Sequence, residues 1–337
     1  MIDILNNLGT ELRAISMLGY VTLLLGAVFV GLIFLTKGGD LLCDYSSILA
    51  EKLGIPSVII GLTIVSIATS APELFTSISA INSNAGGLVI GNITGSNVAN
   101  IGLILGIVLL IKPISTFGAV KSFQLVVLAV VTIGFSLSFI LNDNYKLGSK
   151  TGIVLIIFII CYLGGLCFYA MNNRDTNFTS NNPKEQAISL QFVSLMIMFG
   201  GAMLWLGSES LVFGSKNLAM LASIPDELIG FTLVAIGTSL PELAASISLV
   251  KKEETNMLLG NILGSNLFNI GLVGGVAGIL GPISCKAPYP WFDHASMLFF
   301  TGLLVIWMTG KKLGRKHGIL LLSSYIAVAT TSWIVNS

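Results

Sequence analysis

Apolar residues run through this chain in long stretches, interrupted by glycine, proline and small clusters of charge. Tyr20 to Leu35 and Leu125 to Leu141 are nearly free of charge, and Ile153 to Met171 and Met297 to Met308 continue the pattern. A helix needs roughly 20 apolar residues to cross a bilayer, and several runs approach or reach that length. Read against the punctuation, the pattern predicts ten helices, near 19–46, 56–81, 87–110, 123–141, 150–171, 189–219, 225–249, 257–280, 291–309 and 317–335. The expected fold is an all-α polytopic membrane protein. The longest polar connection, Asn172 to Gln186, is Asn-rich and too short to hold a domain, so it reads as a linker.

Composition agrees. Of 337 residues, 54% are hydrophobic and 10% charged, against about 25% charged in a soluble domain. Too few charges exist to solvate a water-exposed surface. The net charge of +1 carries no nucleic-acid signature, and no nucleic-acid partner is expected. The four cysteines, Cys43, Cys161, Cys167 and Cys285, form no CxxC pair and read as small apolar helix residues. His294 and His317 are expected in loops, solvated and not bound to metal. The segment from Met1 to Leu18 carries Asp3, Glu11 and Arg13, which does not resemble a cleavable signal peptide.

The chain repeats itself. One Ile-Ala-Thr-Ser-Ala-Pro-Glu run ends at Glu73, and an Ile-Gly-Thr-Ser-Leu-Pro-Glu run ends at Glu242, a shift of 169 residues (242 − 73). The same shift pairs Pro56 with Pro225, Gly61 with Gly230 and Thr63 with Thr232. It pairs Gly91-Asn92-Ile93 with Gly260-Asn261-Ile262, Gly95-Ser96-Asn97 with Gly264-Ser265-Asn266, Asn100 with Asn269 and Pro113 with Pro282. This is duplication. The predicted organisation is an N-terminal extension over 1–18, a first five-helix repeat over 19–171, a cytoplasmic linker over 172–188 and a second five-helix repeat over 189–337. An odd number of spans per repeat sends the second half through the bilayer in the opposite sense. Inverted repeats of this kind place a transport site at their interface near the midplane.

Lysine and arginine set the orientation. Lys52, Lys112, Lys121, Arg174, Lys184, Lys251, Lys252, Lys311, Lys312, Arg315 and Lys316 fall on one side. Arg13, Lys146, Lys150 and Lys286 fall on the other. The first side is assigned to the cytoplasm, which puts both termini of this multi-pass cell-membrane protein on the extracellular or periplasmic side.

Two glutamates sit inside apolar spans. A charge at the centre of a membrane helix costs about 2.5–3.5 kcal/mol on insertion scales. Glu73 and Glu242 incur that cost at equivalent positions, and no lysine or arginine lies at depth in spans two, three, seven or eight to balance them. The proline before each glutamate has no N–H and frees a carbonyl four residues back, at Ala68 and Gly237. Freed carbonyls in a membrane must line a cavity or bind something. Thr69 shares a helical face with Glu73, with Ser66, Ser70 and Ser77 near it. Thr238 does the same for Glu242, beside Ser239 and Ser246. Asn92, Ser96 and Asn100 recur at steps of four, as do Asn261, Ser265 and Asn269. Ser96, Asn100, Ser265 and Asn269 are read as ion ligands. Asn92, Asn97, Asn261 and Asn266 are read as bonds between helices. Four GxxxG pairs, Gly91/Gly95, Gly102/Gly106, Gly260/Gly264 and Gly271/Gly275, are expected to draw spans two, three, seven and eight together. Asp40 and Glu209 are also equivalent by the shift, and Lys37 is placed to pair with Asp40 on one helix face.

Carboxylates, hydroxyls, amide oxygens and carbonyls form a hard oxygen set that suits Ca²⁺; without thiol or imidazole it does not suit zinc or copper. A site that must be neutralised before it crosses a low-dielectric barrier exchanges ions and does not leak them.

At these residues the chain resembles the cation/calcium exchanger superfamily, and within it the prokaryotic sodium/calcium exchangers. The signatures Gly-Thr-Ser-x-Pro-Glu and Gly-Asn-x-x-Gly-Ser-Asn match at Gly237 to Glu242 and Gly260 to Asn266. The first copy matches with Ala68 in place of the leading glycine. The resemblance implies ion ligands at Ser66, Thr69, Ser70, Glu73, Ser96 and Asn100, and at Ala235, Thr238, Ser239, Glu242, Ser265 and Asn269, with Ala235 contributing backbone oxygen. Glu73, Glu242, Thr69 and Thr238 are the expected Ca²⁺ or Na⁺ contacts. Some family members carry aspartate where this chain has Asn100 or Asn269. Both are neutral here, which leaves two formal charges and weighs against potassium co-transport. The resemblance also implies alternating access by sliding of the long first and sixth helices. The expected function is Na⁺/Ca²⁺ antiport, with no enzymatic activity, no cofactor beyond the transported Na⁺ and Ca²⁺, and no obligatory protein partner beside the lipid bilayer. The alternatives are an H⁺/Ca²⁺ antiporter on the same scaffold, a cation channel, and a non-transporting sensor.

Overall fold

The computed structural model describes residues 16–82, 86–116, 120–140, 146–172, 188–222, 235–281, 283–284, 291–310 and 312–336. Residues 1–15 of the expected extension, most of the expected linker, Pro225, Gly230, Thr232, Pro282 and Cys285 lie outside the described residues. Within them the chain is helical: α1 (Met17–Leu53), α2 (Ser57–Thr69), α3 (Ala71–Asn82), α4 (Gly86–Ile111), α5 (Ser122–Ile140), α6 (Ser149–Asn172), α7 (Leu190–Leu221), α8 (Ala235–Thr238), α9 (Leu240–Lys251), α10 (Thr255–Leu280), α11 (Trp291–Met308) and α12 (Arg315–Asn336). Six are long and apolar enough to cross a membrane, and the bent pair α2 and α3 makes a seventh.

Local chemistry sets the ends. The Ser16 hydroxyl accepts the Gly19 N–H at the start of α1, and the Ser189 hydroxyl accepts the Phe192 N–H at the start of α7. Gly54 stops α1 in the left-handed region at φ 62°, ψ 32°, with its N–H on the carbonyls of Ala50 and Glu51. The first span therefore runs to Leu53, seven residues past the boundary predicted at 46. At about 1.5 Å per residue, a 37-residue α1 is much longer than the roughly 30 Å hydrocarbon core, so it crosses at a tilt or projects beyond it.

The long helices α1 and α7 pack antiparallel through glycines. A Cβ at Gly31 would lie 2.7 Å from the Leu211 nitrogen and 2.8 Å from the Gly207 oxygen. One at Gly38 would lie 2.9 Å from the Leu204 nitrogen and 3.0 Å from the Gly200 oxygen. Gly214 is as close to the Leu24 carbonyl, at 2.6 Å. These glycines recur every seven residues, the period that keeps a seam facing one partner.

Most of α4 and α10 is inside the molecule: their apolar windows are 78% and 83% buried, against 28% for α1, α6 and α7. The last three present Phe29, Leu32, Ile157, Ile160, Met198 and Phe199 outward, the side that lipid wets.

Two short antiparallel ladders tie loop ends together, and the apolar pattern did not predict them. In one, β1 (Ile114–Ser115) pairs with β4 (Lys312–Leu313); in the other, β2 (Lys146–Leu147) pairs with β3 (Ile283–Ser284). Two residues are too few to show an alternation of period two.

The histidine expectation is corrected. His294 lies in α11, only 3% exposed. Its Nδ1 is 3.2 Å from the Ser136 hydroxyl, and its ring packs on Phe135 and Phe139. Aromatic contacts and one hydroxyl compensate its burial. His317 lies in the first turn of α12, where Nδ1 accepts the Gly314 N–H and the ring meets Trp307 edge-on. Cys43 is buried, while Cys161 and Cys167 lie exposed on α6.

Substituting Gly207 with alanine is expected to destabilise the protein by roughly 1–3 kcal/mol, since the new methyl meets backbone that cannot rotate away. Gly26→Ala, in open space, is the neutral control. Melting temperatures of both variants in lipid nanodiscs check this.

Candidate ion-binding site

The second span breaks at Ser70, where φ −87° and ψ 5° leave the helical region, and α2 and α3 meet at a 42° bend. Ser239 breaks α8 from α9 with nearly the same dihedrals, φ −89° and ψ 4°. Pro72 and Pro241 follow at the second position of α3 and α9, where a missing N–H is tolerated. Glu73 and Glu242 are therefore first-turn residues. The unpaired N–H groups at a helix start carry partial positive charge that favours a carboxylate.

The carbonyl expectation holds only in part. The Gly237 oxygen accepts the Ser208 hydroxyl of α7 at 2.5 Å, so it fastens α8 to α7.

Among the described residues, three π-turns accompany the breaks. They span Gly61–Val65 in α2, Asn100–Leu105 in α4 and Asn269–Val273 in α10. The last two begin at asparagines 169 residues apart. A π-turn widens the helix and interrupts its regular bonding, often at functional sites. In α2 the Gly61 carbonyl accepts the Ser66 hydroxyl at 2.7 Å. Ser66 also reaches the Asn261 carbonyl at 3.1 Å, and a Cβ on Gly264 would sit 2.2 Å from its Oγ. Its hydroxyl thus fills the joint between α2 and α10.

Residues from the two halves of the sequence meet here. The Ser70 hydroxyl donates to Glu242 Oε1 at 2.9 Å. The Thr69 hydroxyl lies 3.5 Å from that of Ser265 and 3.4 Å from Asn261 Oδ1. The Glu73 and Glu242 carboxylates are both 1% exposed. Among the described residues the ion pairs are Lys112–Glu253 and Lys252–Asp44, so neither glutamate has a cationic side chain. Both Glu73 oxygens, Glu242 Oε2, the Ser239 hydroxyl and the side-chain amides of Asn100 and Asn269 are buried without a hydrogen-bond partner. Such groups are costly unless something binds them. Ser96 is buried on α4, Ala235 opens α8 and Thr238 closes it.

The remaining amides are structural. Asn92 donates to the Glu73 carbonyl at 3.0 Å and to Ser77 at 2.9 Å, joining α4 to α3. Asn97 and Asn266 each donate to the carbonyl four residues back in their own helix, at Ile93 and Ile262. They were expected to bond between helices; the local acceptor is nearer. Asn261 does bond between helices, as expected: its Oδ1 accepts the Ser66 and Thr69 hydroxyls of α2. Ser208 carried no sequence signal.

The glycine expectation is corrected too. Gly260 and Gly264 do press α10 onto α2. Gly102 and Gly106 instead meet Phe300 of α11 and Tyr325 and Leu322 of α12, and Gly271 and Gly275 meet Ile159 and Ile156 of α6. Those contacts seat α4 and α10 against outer helices. Asp40 likewise departs from its expected bond with Lys37: it accepts the Ser248 hydroxyl at 2.7 Å.

Fold and site together define a multi-pass membrane protein with a buried cluster of carboxylate, hydroxyl and amide groups at paired helix breaks. The sodium/calcium exchanger protein family matches residues 23–168 and 192–334, and the chain belongs to that family. A membrane protein of Methanocaldococcus jannaschii is 35% identical, covering 89% of this chain and 95% of its own. The sodium/calcium exchanger MaX1 of Methanosarcina acetivorans is 31% identical over the same shares. The solved structure of the sodium-calcium exchanger NCX_Mj soaked with 2.5 mM Na⁺ and 0.1 mM Ca²⁺ superimposes with a TM-score of 0.78 at 32% identity, covering 92% of this chain and 98% of that one.

A ligand that binds only the folded site stabilises it by RT ln(1 + [L]/Kd). Ca²⁺ at about 100 times its Kd is therefore expected to add about 2.7 kcal/mol. A raised melting temperature, reversed by chelator and absent in Glu73→Gln, would confirm it.

Proposed function

We propose that this protein exchanges Na⁺ for Ca²⁺ across the cell membrane by alternating access, binding both ions near the midplane between two inverted five-helix repeats. In this reading α2 with α3, and α8 with α9, are each one broken span, and ten spans result. Several features recur at the 169-residue shift and support the repeat. The breaks at Ser70 and Ser239 do so, as do the π-turns at Asn100 and Asn269. The two family matches start 169 residues apart, at 23 and 192. β1 corresponds to β3 by the same shift, and each pairs with a strand from the opposite half.

The observation that carries the proposal is the pair of glutamates at equivalent helix breaks, buried and, among the described residues, without a cationic partner. The proposed ligands are Ser66, Thr69, Ser70, Glu73, Ser96, Asn100, Ala235, Thr238, Ser239, Glu242, Ser265 and Asn269. Two carboxylates balance one Ca²⁺. An empty site keeps two charges in a low-dielectric interior, which opposes the crossing of an unloaded transporter and makes exchange the favoured cycle. The lysine and arginine distribution supports both termini outside, with the repeats at 19–171 and 189–337 joined by a cytoplasmic linker over 172–188. The role is that of a carrier, not an enzyme.

The test is uptake of ⁴⁵Ca²⁺ into proteoliposomes loaded with Na⁺ and diluted into Na⁺-free buffer. Uptake is expected from Na⁺-loaded vesicles, to be absent from K⁺-loaded ones, and to fall to background in Glu73→Gln and Glu242→Gln. Equal uptake without Na⁺ would overturn the coupling; uptake driven by a pH gradient would point to protons instead.

A further inference from the structure

The second part of α1 is sealed to α9. A Cβ at Gly39 would meet the carbonyl carbon and oxygen of Ala244 at 3.1 Å, so backbone lies almost on backbone. One turn on, the Cys43 thiol donates to the Ala245 carbonyl at 3.5 Å. Beside it the nearly buried Ser248 hydroxyl holds the Asp40 carboxylate. The seam ends at Lys252, the C-cap of α9. Its ammonium donates to the Asp40 carbonyl at 2.9 Å and pairs with the Asp44 carboxylate at 2.5 Å. One ammonium therefore ties two successive turns of α1 to the helix whose first turn carries Glu242.

The other half lacks this arrangement. The 169-residue shift carries Asp44 to Phe213 and Lys252 to Ser83, so neither charge has a counterpart. A contact between α7 and α3 is apolar: Phe75 stacks on Trp205 with centroids 5.1 Å apart and planes 12° from parallel. Its equivalents on the α1 side are Ala244 and Thr36.

Because α1 and α7 are bound along their glycine seam, they form one unit against the helices that carry the site. In the alternating-access reading, opening the site toward one face separates α1 from α9, and opening it toward the other separates α7 from α3. The two separations break different interactions, one ionic and one aromatic.

We propose that Lys252, acting on Asp40 and Asp44, is a latch that holds the α1–α9 face closed and sets how readily the site opens toward the Lys252 side. It is a positioning residue and touches no transported ion. The inference rests on the alternating-access reading above and adds to it a difference between the two faces. With Lys252 28% and Asp44 58% exposed, the ion pair is reached by water and weakened by salt, so the latch is sensitive to ionic strength on that side alone.

Cys43 is the natural reporter, fully buried in the seam. The full-length protein, with Cys161, Cys167 and Cys285 changed to serine, is reconstituted, and the modification rate of Cys43 by a membrane-impermeant thiol reagent is measured from the Lys252 side. Lys252→Met is expected to raise the rate about tenfold, through loss of one ion pair and one charged hydrogen bond. Asp44→Asn should raise it less, since the bond to the Asp40 carbonyl survives. The exchange Lys252→Asp with Asp44→Lys should lower the rate from that of Lys252→Met. Raising salt from 0.05 to 0.5 M should speed modification of the parent and leave Lys252→Met unchanged. An unchanged rate in a Lys252→Met protein that keeps the parent's melting temperature would overturn the latch. Labelling requires no ion gradient, so failure of Na⁺-driven uptake and failure of the latch remain distinguishable.

Discussion

Two carboxylates held inside a membrane protein without a cationic side chain are the constraint around which this structure is organised. Glu73 and Glu242 are as buried as core leucines. Each sits in the first turn of a helix that starts at a break, where the helix dipole favours a carboxylate. Ser70 satisfies one oxygen of Glu242; the Glu73 oxygens have no side-chain or backbone donor. The surrounding amides of Asn100 and Asn269 are neutral and equally unsatisfied. Such a cluster is costly in an apolar surround, and the architecture shields it from lipid. The two helices that carry the asparagines, α4 and α10, are the most buried of the six long apolar helices, and the outer helices present aliphatic and aromatic side chains outward.

The halves do not stand side by side as separate domains. α10 of the second half packs on α2 and α6 of the first, and α12 of the second packs on α4 of the first. The long helices α1 and α7 share one seam, and both short ladders join opposite halves. Every one of these joints crosses between repeats, so a single repeat would expose glycine-lined grooves and a half-built site. Duplication also leaves room for difference. Ser66 occupies the joint between α2 and α10, while its equivalent is Ala235. Asn92 binds the backbone of Glu73, while the equivalent Asn261 faces Ser66 and Thr69 across the interface. Equivalent sequence positions thus do different work because their neighbours differ.

Much of this was legible in the sequence, for identifiable reasons. Membrane helices announce themselves by length and apolarity, and the described helices fall within a few residues of their predicted places except at the end of α1. The glutamates stood out because a charge at depth is expensive, and the repeat doubled the signal. What was hidden depends on three-dimensional neighbours. A GxxxG pair does not say what it meets: Gly260/Gly264 met α2 as expected, two pairs met outer helices, and Gly91 and Gly95 face open space. The π-turns at Asn100 and Asn269 arise from bonding that local composition does not encode. The two-residue ladders have no periodicity to read. His294 looked like a loop residue because a histidine near a span end usually is one; Phe135, Phe139 and Ser136, remote in sequence, make its burial acceptable. The capture of the Gly237 carbonyl by Ser208 likewise links residues 29 apart.

The neutrality of residues 100 and 269 shapes the electrostatics of the proposed exchange. Asparagine offers a cation an oxygen without a charge, so the site holds two formal charges and no more. One divalent ion neutralises it, and the loaded site can then sit in a low-dielectric interior with little net field. A single monovalent ion leaves one carboxylate uncompensated, at an energy that grows as the local dielectric falls. At least two monovalent ions are therefore needed to give an equally neutral site. Hydroxyls and amides at Thr69, Ser70, Ser265 and the paired asparagines supply uncharged oxygen for either loading. Selectivity between the two ions then rests on how many of those oxygens converge on one point, since the carboxylates serve both.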